Sequence, residues 1–173
     1  MIRRMENRRR SFEAQALPHL DAAYNLARWL SRSPADAEDI VQDAMLRAFR
    51  GFDGFRGGDA KPWLLAIVRN CCRNLGAETR RRAQTPLPEH EADAIAAGDA
   101  DPETAAIRSS DKRQLNAAIA LLPNEFREVL VLREMEEMNY REIAQAIGAP
   151  IGTVMSRLAR ARTMLREKLG DRI

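Results

Sequence analysis

Apolar residues recur at three- and four-residue steps along most of this chain, the pattern of helices that each bury one side. The cleanest run follows Ser33-Pro34, where Ala37, Ile40, Val41, Ala44, Met45, Ala48 and Phe49 form a continuous core-facing stripe. Ser33 suits the N-cap and Pro34 the first helical position. Asp39, Gln42, Asp43, Leu46 and Arg50 lie opposite the stripe. A single exposed leucine ordinarily carries no message. Leu46, however, is ringed by carboxylates and an amide, the make-up of a small docking spot for a partner protein. Upstream, Phe12 to Leu30 predicts a helix with Leu17, Leu20, Tyr24, Ala27 and Leu30 inside, kinked or delayed by Pro18.

The segment GFDGFRGGDAK, Gly51 to Lys61, predicts a glycine-rich loop carrying Phe52, Phe55 and Arg56. It lacks the G-x-x-x-x-G-K-[ST] spacing of a nucleotide-phosphate loop, and no strand precedes it. Pro62 opens the next helix, with Trp63, Leu64, Ile67 and Val68 as its apolar content. Aromatic and basic residues at the head of an arginine-rich helix fit single-stranded nucleic acid, whose bases stack on flat side chains while cations meet the phosphates.

Residues 83–110 break the pattern. Pro86, Pro88, Glu89, Glu91, Asp93, Asp99, Asp101, Pro102 and Glu103 mark an acidic linker too polar to build a core, with Ala-rich stretches able to turn helical on a surface. Helical periodicity resumes from about Asp111. Leu115, Ala118, Ile119 and Leu122 are expected to face inward from one helix, and Phe126, Val129 and Leu130 from the next, after Pro123.

The last segment, NYREIAQAIGAPIGTVMSRLARAR from Asn139, predicts a helix-turn-helix, a device that sets one helix in the DNA major groove. Asn139 and Glu142 have capping-box spacing. Gly148 suits a left-handed helix end, and Pro150 forbids continuation. At about 100° per residue, Val154, Leu158, Ala161, Leu165 and Leu169 cluster on one side of the second helix. Gly152, Ser156, Ala159, Arg160 and Thr163 lie opposite, with Met155, Arg162 and Arg157 at the edges. Small residues let a helix sink into a groove, and Arg160 can reach a guanine edge or a phosphate. An ordinary amphipathic helix with a solvated basic face is the plainer alternative.

Composition narrows the picture. Aromatics are only 5% of 173 residues and β-branched runs are scarce, so the fold class is all-α: two small helical domains joined by a flexible acidic linker. The boundaries fall at 1–82, 83–110 and 111–173. Net charge is only +3, but it is distributed in blocks: Arg3, Arg4, Arg8, Arg9 and Arg10, then Arg69, Arg73, Arg80, Arg81 and Arg82, then the C-terminal helix. Basic blocks separated by acid suggest several contacts along a polyanion. No apolar h-region follows the first block and no run reaches membrane-spanning length, which points to a cytoplasmic protein without membrane insertion. Cys71 and Cys72 are adjacent, a spacing that suits neither a redox pair nor a zinc site, and His19 and His90 add no ligand pattern. No nucleophile–base pair, metal cluster or cofactor loop is evident, so neither an enzyme nor a cofactor is expected.

Together, DAEDIVQDAMLRAFR in the first domain and GTVMSRLARAR in the second resemble the extracytoplasmic-function (ECF) sigma factors of bacterial RNA polymerase, over nearly the whole chain. The resemblance implies that the face of Asp39, Gln42 and Asp43 docks on the coiled-coil clamp of the β′ subunit, with the β subunit as a further partner; helix geometry adds Leu46 and Arg50 to that face. It implies that Phe55, Arg56, Gly57, Gly58, Asp59, Asn70 and Arg73 melt and capture the −10 element of promoter DNA. Thr153, Met155, Ser156, Arg157, Ala159 and Arg160 match the −35 reader. An anti-sigma factor is the expected antagonist. The loop from Phe55 to Trp63 is about one residue shorter than in some relatives, and Met155 and Ala159 stand where several carry basic and bulky residues. Two other readings remain at this point: a stand-alone helix-turn-helix regulator, which would leave the face around Gln42 and Leu46 unused, and a protein-binding decoy without DNA.

Overall fold

The computed structural model describes residues 2–82 and 102–170. The N-terminal half holds four helices: α1 (Ile2–Ala16), α2 (Leu20–Leu30), α3 (Pro34–Gly51) and α4 (Ala60–Arg82). Pro18 kinks the chain as expected, because a 3₁₀ turn over Leu17–His19 separates α1 from α2. Ser33 Oγ accepts from Asp36 N at 3.1 Å and caps α3. The α3 stripe reads true: Ala37, Ile40, Val41, Ala44 and Ala48 are buried. They meet Ala23, Leu26 and Ala27 of α2, and Leu64, Leu65, Val68, Cys71 and Cys72 of α4, in one apolar cluster. Alanines on α2 and α3 leave room for the helices to approach closely. Phe12 closes the bundle from α1 with edge-on contacts to Phe49 and Phe52 at 5.3 and 5.4 Å.

Three expectations need correction. Leu17, Leu20 and Tyr24 are exposed rather than core, because the small face of α2 is the one that meets α3 and α4. Leu115 is likewise exposed. Helix α5 (Pro102–Ala120) begins inside the stretch expected to be a linker; residues 83–101 of that stretch lie outside the described residues.

The C-terminal half continues with α6 (Asn124–Leu130), which widens into a π-helical turn over Val131–Met135. Glu137 then takes a left-handed φ of 55° to redirect the chain. The helix-turn-helix follows as α7 (Tyr140–Ile147) and α8 (Ile151–Leu169). Its capping box is complete: Asn139 Oδ1 accepts from Glu142 N at 3.0 Å, and Glu142 Oε2 accepts from Asn139 N at 2.7 Å. Gly148 closes α7 with φ 64°, the left-handed conformation that glycine adopts without penalty. Val154, Leu158, Ala161 and Leu165 of α8 are buried.

The two halves also pack on each other. Helix α4 lies against α7, and α2 against α6. Val129, Val131, Leu132, Met138, Ile143, Ala146, Ile147, Val154 and Leu158 join the N-terminal cluster, leaving a smaller one of α5, α6 and α8 residues behind. Arg127 fastens the junction. Its guanidinium donates to the carbonyls of Ile119, Ala120 and Leu122 at the end of α5, and to Trp29 O of α2 at 3.0 Å. One buried cation thus satisfies the orphan carbonyls of helix ends from both halves.

Candidate nucleic-acid and partner interfaces

The α3 stripe is the reason for the first surface. Burying it turns Asp39, Gln42, Leu46 and Arg50 outward, with Leu46 57% exposed. Asp43 is half-buried at the edge, and both its carboxylate oxygens accept from Arg47 Nε at 2.9–3.0 Å. That hydrogen bond chiefly, helped by the Cys71 thiol against a desolvation penalty, holds the Asp43 carboxyl below its ordinary range. Beside this face runs a groove of about 920 Å³, walled by Phe12, Leu17, Leu20, Tyr24, Met45 and Leu46 and rimmed by Glu38 and Gln42. The groove is hidden from the sequence because Leu17, Leu20 and Tyr24 of its walls are expected there in the core.

The second surface begins at the 3₁₀ turn Phe52–Gly54. Phe55 is sandwiched by its own scaffold, stacked on Phe52 at 5.9 Å and tilted on Trp63 at 4.9 Å. Gly57 and Gly58 adopt φ of 84° and 90°, which other residues would strain to match. Asp59 Oδ1 accepts from Lys61 N at 2.9 Å and starts α4, and it stands 3.7 Å from His19 Nε2. Arg56 is exposed. Asn70 and Arg73 are exposed on α4, and the Asn70 side chain makes no hydrogen bond to another described residue. At 1.5 Å per residue, Asn70 lies about 15 Å along the helix from the loop. The two sets therefore do not form one pocket.

The third surface is the outer face of α8. Gly152, Met155, Ser156, Ala159 and Arg160 are exposed, and Thr153 is half-buried. Ser156 Oγ donates to Thr153 O at 3.0 Å, which leaves its lone pairs outward. Arg160 has no ion partner among the described residues. Arg157 differs, because it turns toward α6 and sits 3.5 Å from Glu125 Oε2. Arg162 is tied to Glu134 at 2.7 Å.

Two sequence features prove inert. Arg8 of the first basic block does not face outward to a polyanion. It donates to Phe49 O and Asp53 at the end of α3 and lies over the Phe49 ring. Cys71 and Cys72 are buried, and desolvation pushes their thiols up to about 11 and about 12, so neither is an activated thiolate.

Known proteins share this arrangement. Residues 17–84 match the Sigma-70 region 2 family and residues 112–165 the Sigma-70 region 4 family. The ECF sigma-E factor of Escherichia coli K12 is 34% identical over 141 residues, spanning 78% of this chain and 74% of that one. This chain belongs to the ECF RNA polymerase sigma factors.

The ECF factor SigE of Mycolicibacterium smegmatis is 35% identical over 159 residues, 92% of this chain but only 62% of the relative's length. Among solved structures, the sigma factor RpoE of Bartonella quintana, in complex with the anti-sigma factor NepR, superposes with a TM-score of 0.75 at 28% identity, covering 94% of this chain and 99% of that one. CnrH, solved with the cytosolic domain of CnrY, shares the fold at a TM-score of 0.65 and 24% identity, over 93% and 88% of the two chains. As an ECF sigma factor the chain is a promoter-directing initiation factor, which overturns the reading as a stand-alone regulator. No helix of the described residues is long and apolar enough to cross a membrane.

Proposed function

We propose that this sigma factor works without catalysis of its own, in the cytoplasm, by docking on core RNA polymerase through α3 and presenting two DNA-reading surfaces. Asp39, Gln42, Asp43, Leu46 and Arg50 form the polymerase contact, with the β′ coiled-coil clamp as its target and the β subunit nearby. The loop of Phe55, Arg56, Gly57, Gly58 and Asp59 engages the −10 element, with Asn70 and Arg73 further along the opened strand. Thr153, Met155, Ser156, Ala159 and Arg160 read the −35 element in the major groove, and Arg157 joins them once released from Glu125. The −10 contact offsets unstacking costs of a few kcal/mol per base, and the −35 contact uses the donor–acceptor code of intact duplex. In this division the boundaries are 1–82 for polymerase and −10 binding and 111–173 for −35 binding, with 83–110 between.

The observation that carries the reading is the α3 face. The chain leaves an apolar residue, Leu46, uncovered in the middle of a polar surface beside an open groove. DNA binding alone gives that face no task. An anti-sigma factor, such as the one bound by the Bartonella quintana relative, is the antagonist this reading expects. Gln42→Ala combined with Leu46→Asp is expected to abolish co-elution with purified core polymerase while leaving the circular dichroism spectrum unchanged. Normal holoenzyme formation by the double variant would refute the assignment.

A further inference from the structure

The chain leaves α3 through a soft stretch. Gly51, Gly54, Gly57 and Gly58 fall between residues 51 and 58, and glycine gives the backbone its widest choice of conformations. A loop that engages a base must nevertheless keep its rings and donors in place. Part of that order is internal, since Phe55 is held between Phe52 and Trp63. The rest comes from α1, a helix that lies ahead of the residues matching the Sigma-70 region 2 family.

Arg8 and Phe12 sit one helical turn apart on α1, so they share a face. Phe12 is buried and meets Phe49 and Phe52 edge-on. Arg8, inert toward a polyanion, spreads its guanidinium over acceptors from two elements. Nη2 donates to Phe49 O at 2.7 Å and to Arg50 O at 3.3 Å, and Nε donates to Asp53 Oδ1 at 2.9 Å. The carbonyls belong to the last turn of α3, where helical partners run out. Asp53 belongs to the 3₁₀ turn from which the loop departs. One rigid planar group thus spans the end of α3 and the start of the loop, and sets the angle between them. Asp53 is largely exposed, so the ion pair adds little stability; its effect is geometric. A lysine would match the charge but not the fork, because its ammonium is a point charge on a flexible stem. A cation that merely favoured the helix end by its charge could be either residue.

We propose that Arg8 is a positioning residue for promoter opening, bracing the turn after α3 and so fixing Phe55 to Asp59 relative to that helix. The inference rests on this loop being the −10 contact. Arg8 itself touches no base.

The test uses holoenzyme assembled from the full chain and core polymerase, on a promoter that the unaltered holoenzyme transcribes. The non-template strand of its −10 element carries 2-aminopurine, whose fluorescence rises on opening. Arg8→Lys is expected to lower that signal about tenfold while the −35 footprint and the helicity of the free chain stay unchanged. In a Trp29→Phe background Trp63 is the sole tryptophan, and it packs on Phe55 at 4.9 Å. Arg8→Lys should make its emission easier to quench with acrylamide. Arg56→Ala, a change in the loop itself, should reduce opening without altering that quenching. Unchanged quenching in Arg8→Lys overturns the brace. Normal opening by Arg8→Lys where Arg56→Ala opens poorly does the same, as does loss of the −35 footprint in step with opening. Normal opening by Arg56→Ala would instead strike the −10 reading of the loop, and Trp63 quenching would still judge the brace.

Discussion

Helices α4 and α8 carry the two candidate reading surfaces, and they are built in opposite ways. Helix α8 is set by local signals. A capping box, a left-handed glycine and a buried stripe orient it, and Gly152, Met155, Ser156, Ala159 and Arg160 of its outer face are exposed. Helix α4 is shared. One side closes the N-terminal bundle, another receives α7, and only the remainder shows Asn70 and Arg73 to solvent. A surface supported by local sequence can be exposed at all times. A surface shared between halves is subject to whatever moves them.

The largest effect should come from the core that links the two helices. Leu64→Ala in α4 and Leu158→Ala in α8 each truncate a fully buried side chain of the same cluster, and each should cost about 2–5 kcal/mol. Thermal unfolding should show one transition, moved by either change. Two transitions, each moved by only one variant, would mean that the helices belong to independent bodies. Arg127→Ala comes next, at about 3 kcal/mol, since it strands carbonyls at helix ends on both sides of the junction. Its signature should be early hydrogen exchange at the ends of α2 and α5 together.

The legibility of the sequence divides along the same line. Helix α3 and the α7–α8 pair could be read residue by residue because their signals are local: Ser33-Pro34, Asn139 with Glu142, Gly148, and clean three-and-four spacing. The misplacement of Leu17, Leu20 and Tyr24 has a physical cause. Apolar identity does not say which side of a helix meets a neighbour, and on α2 the buried side is that of Ala23, Leu26 and Ala27. The junction was invisible for a different reason. Lys61 meets Glu136 across 75 residues, and Asn25 meets Glu136 across 111. No periodicity encodes such pairs. Arg69 looked like part of a basic block facing a polyanion, and only the fold reveals the carboxylate opposite it.

Subtler changes separate the two readers by specificity. Arg160→Ala should lower discrimination at a single −35 position by about one to two orders of magnitude in run-off transcription, with the fold intact. Arg73→Ala should weaken single-strand binding for every sequence alike and reduce the salt slope by about one. A sequence-selective loss at Arg73 would erase the distinction between the helices. The smallest effect concerns α4 alone. The Cys71 and Cys72 thiols are raised from an ordinary 9.0 to about 11 and about 12 by burial. Their protonated forms are favoured by the fold, so the associated stability is intact below about pH 9 and drains as pH climbs through those raised values. Alkylation by iodoacetamide should therefore be slow in the native chain and prompt after denaturation; prompt native alkylation would show that α4 is already uncovered.

The seam between α4 and α7 has one more consequence. Its mating surfaces come from opposite sides of residues 83–101, so a nick there would sever the covalent tie and spare the fit. The fragments would stay clasped, co-elute on a sizing column, and keep their α8 face on display. Proteolytic disposal of this factor would then need a second incision, or an unfoldase to prise the pieces apart.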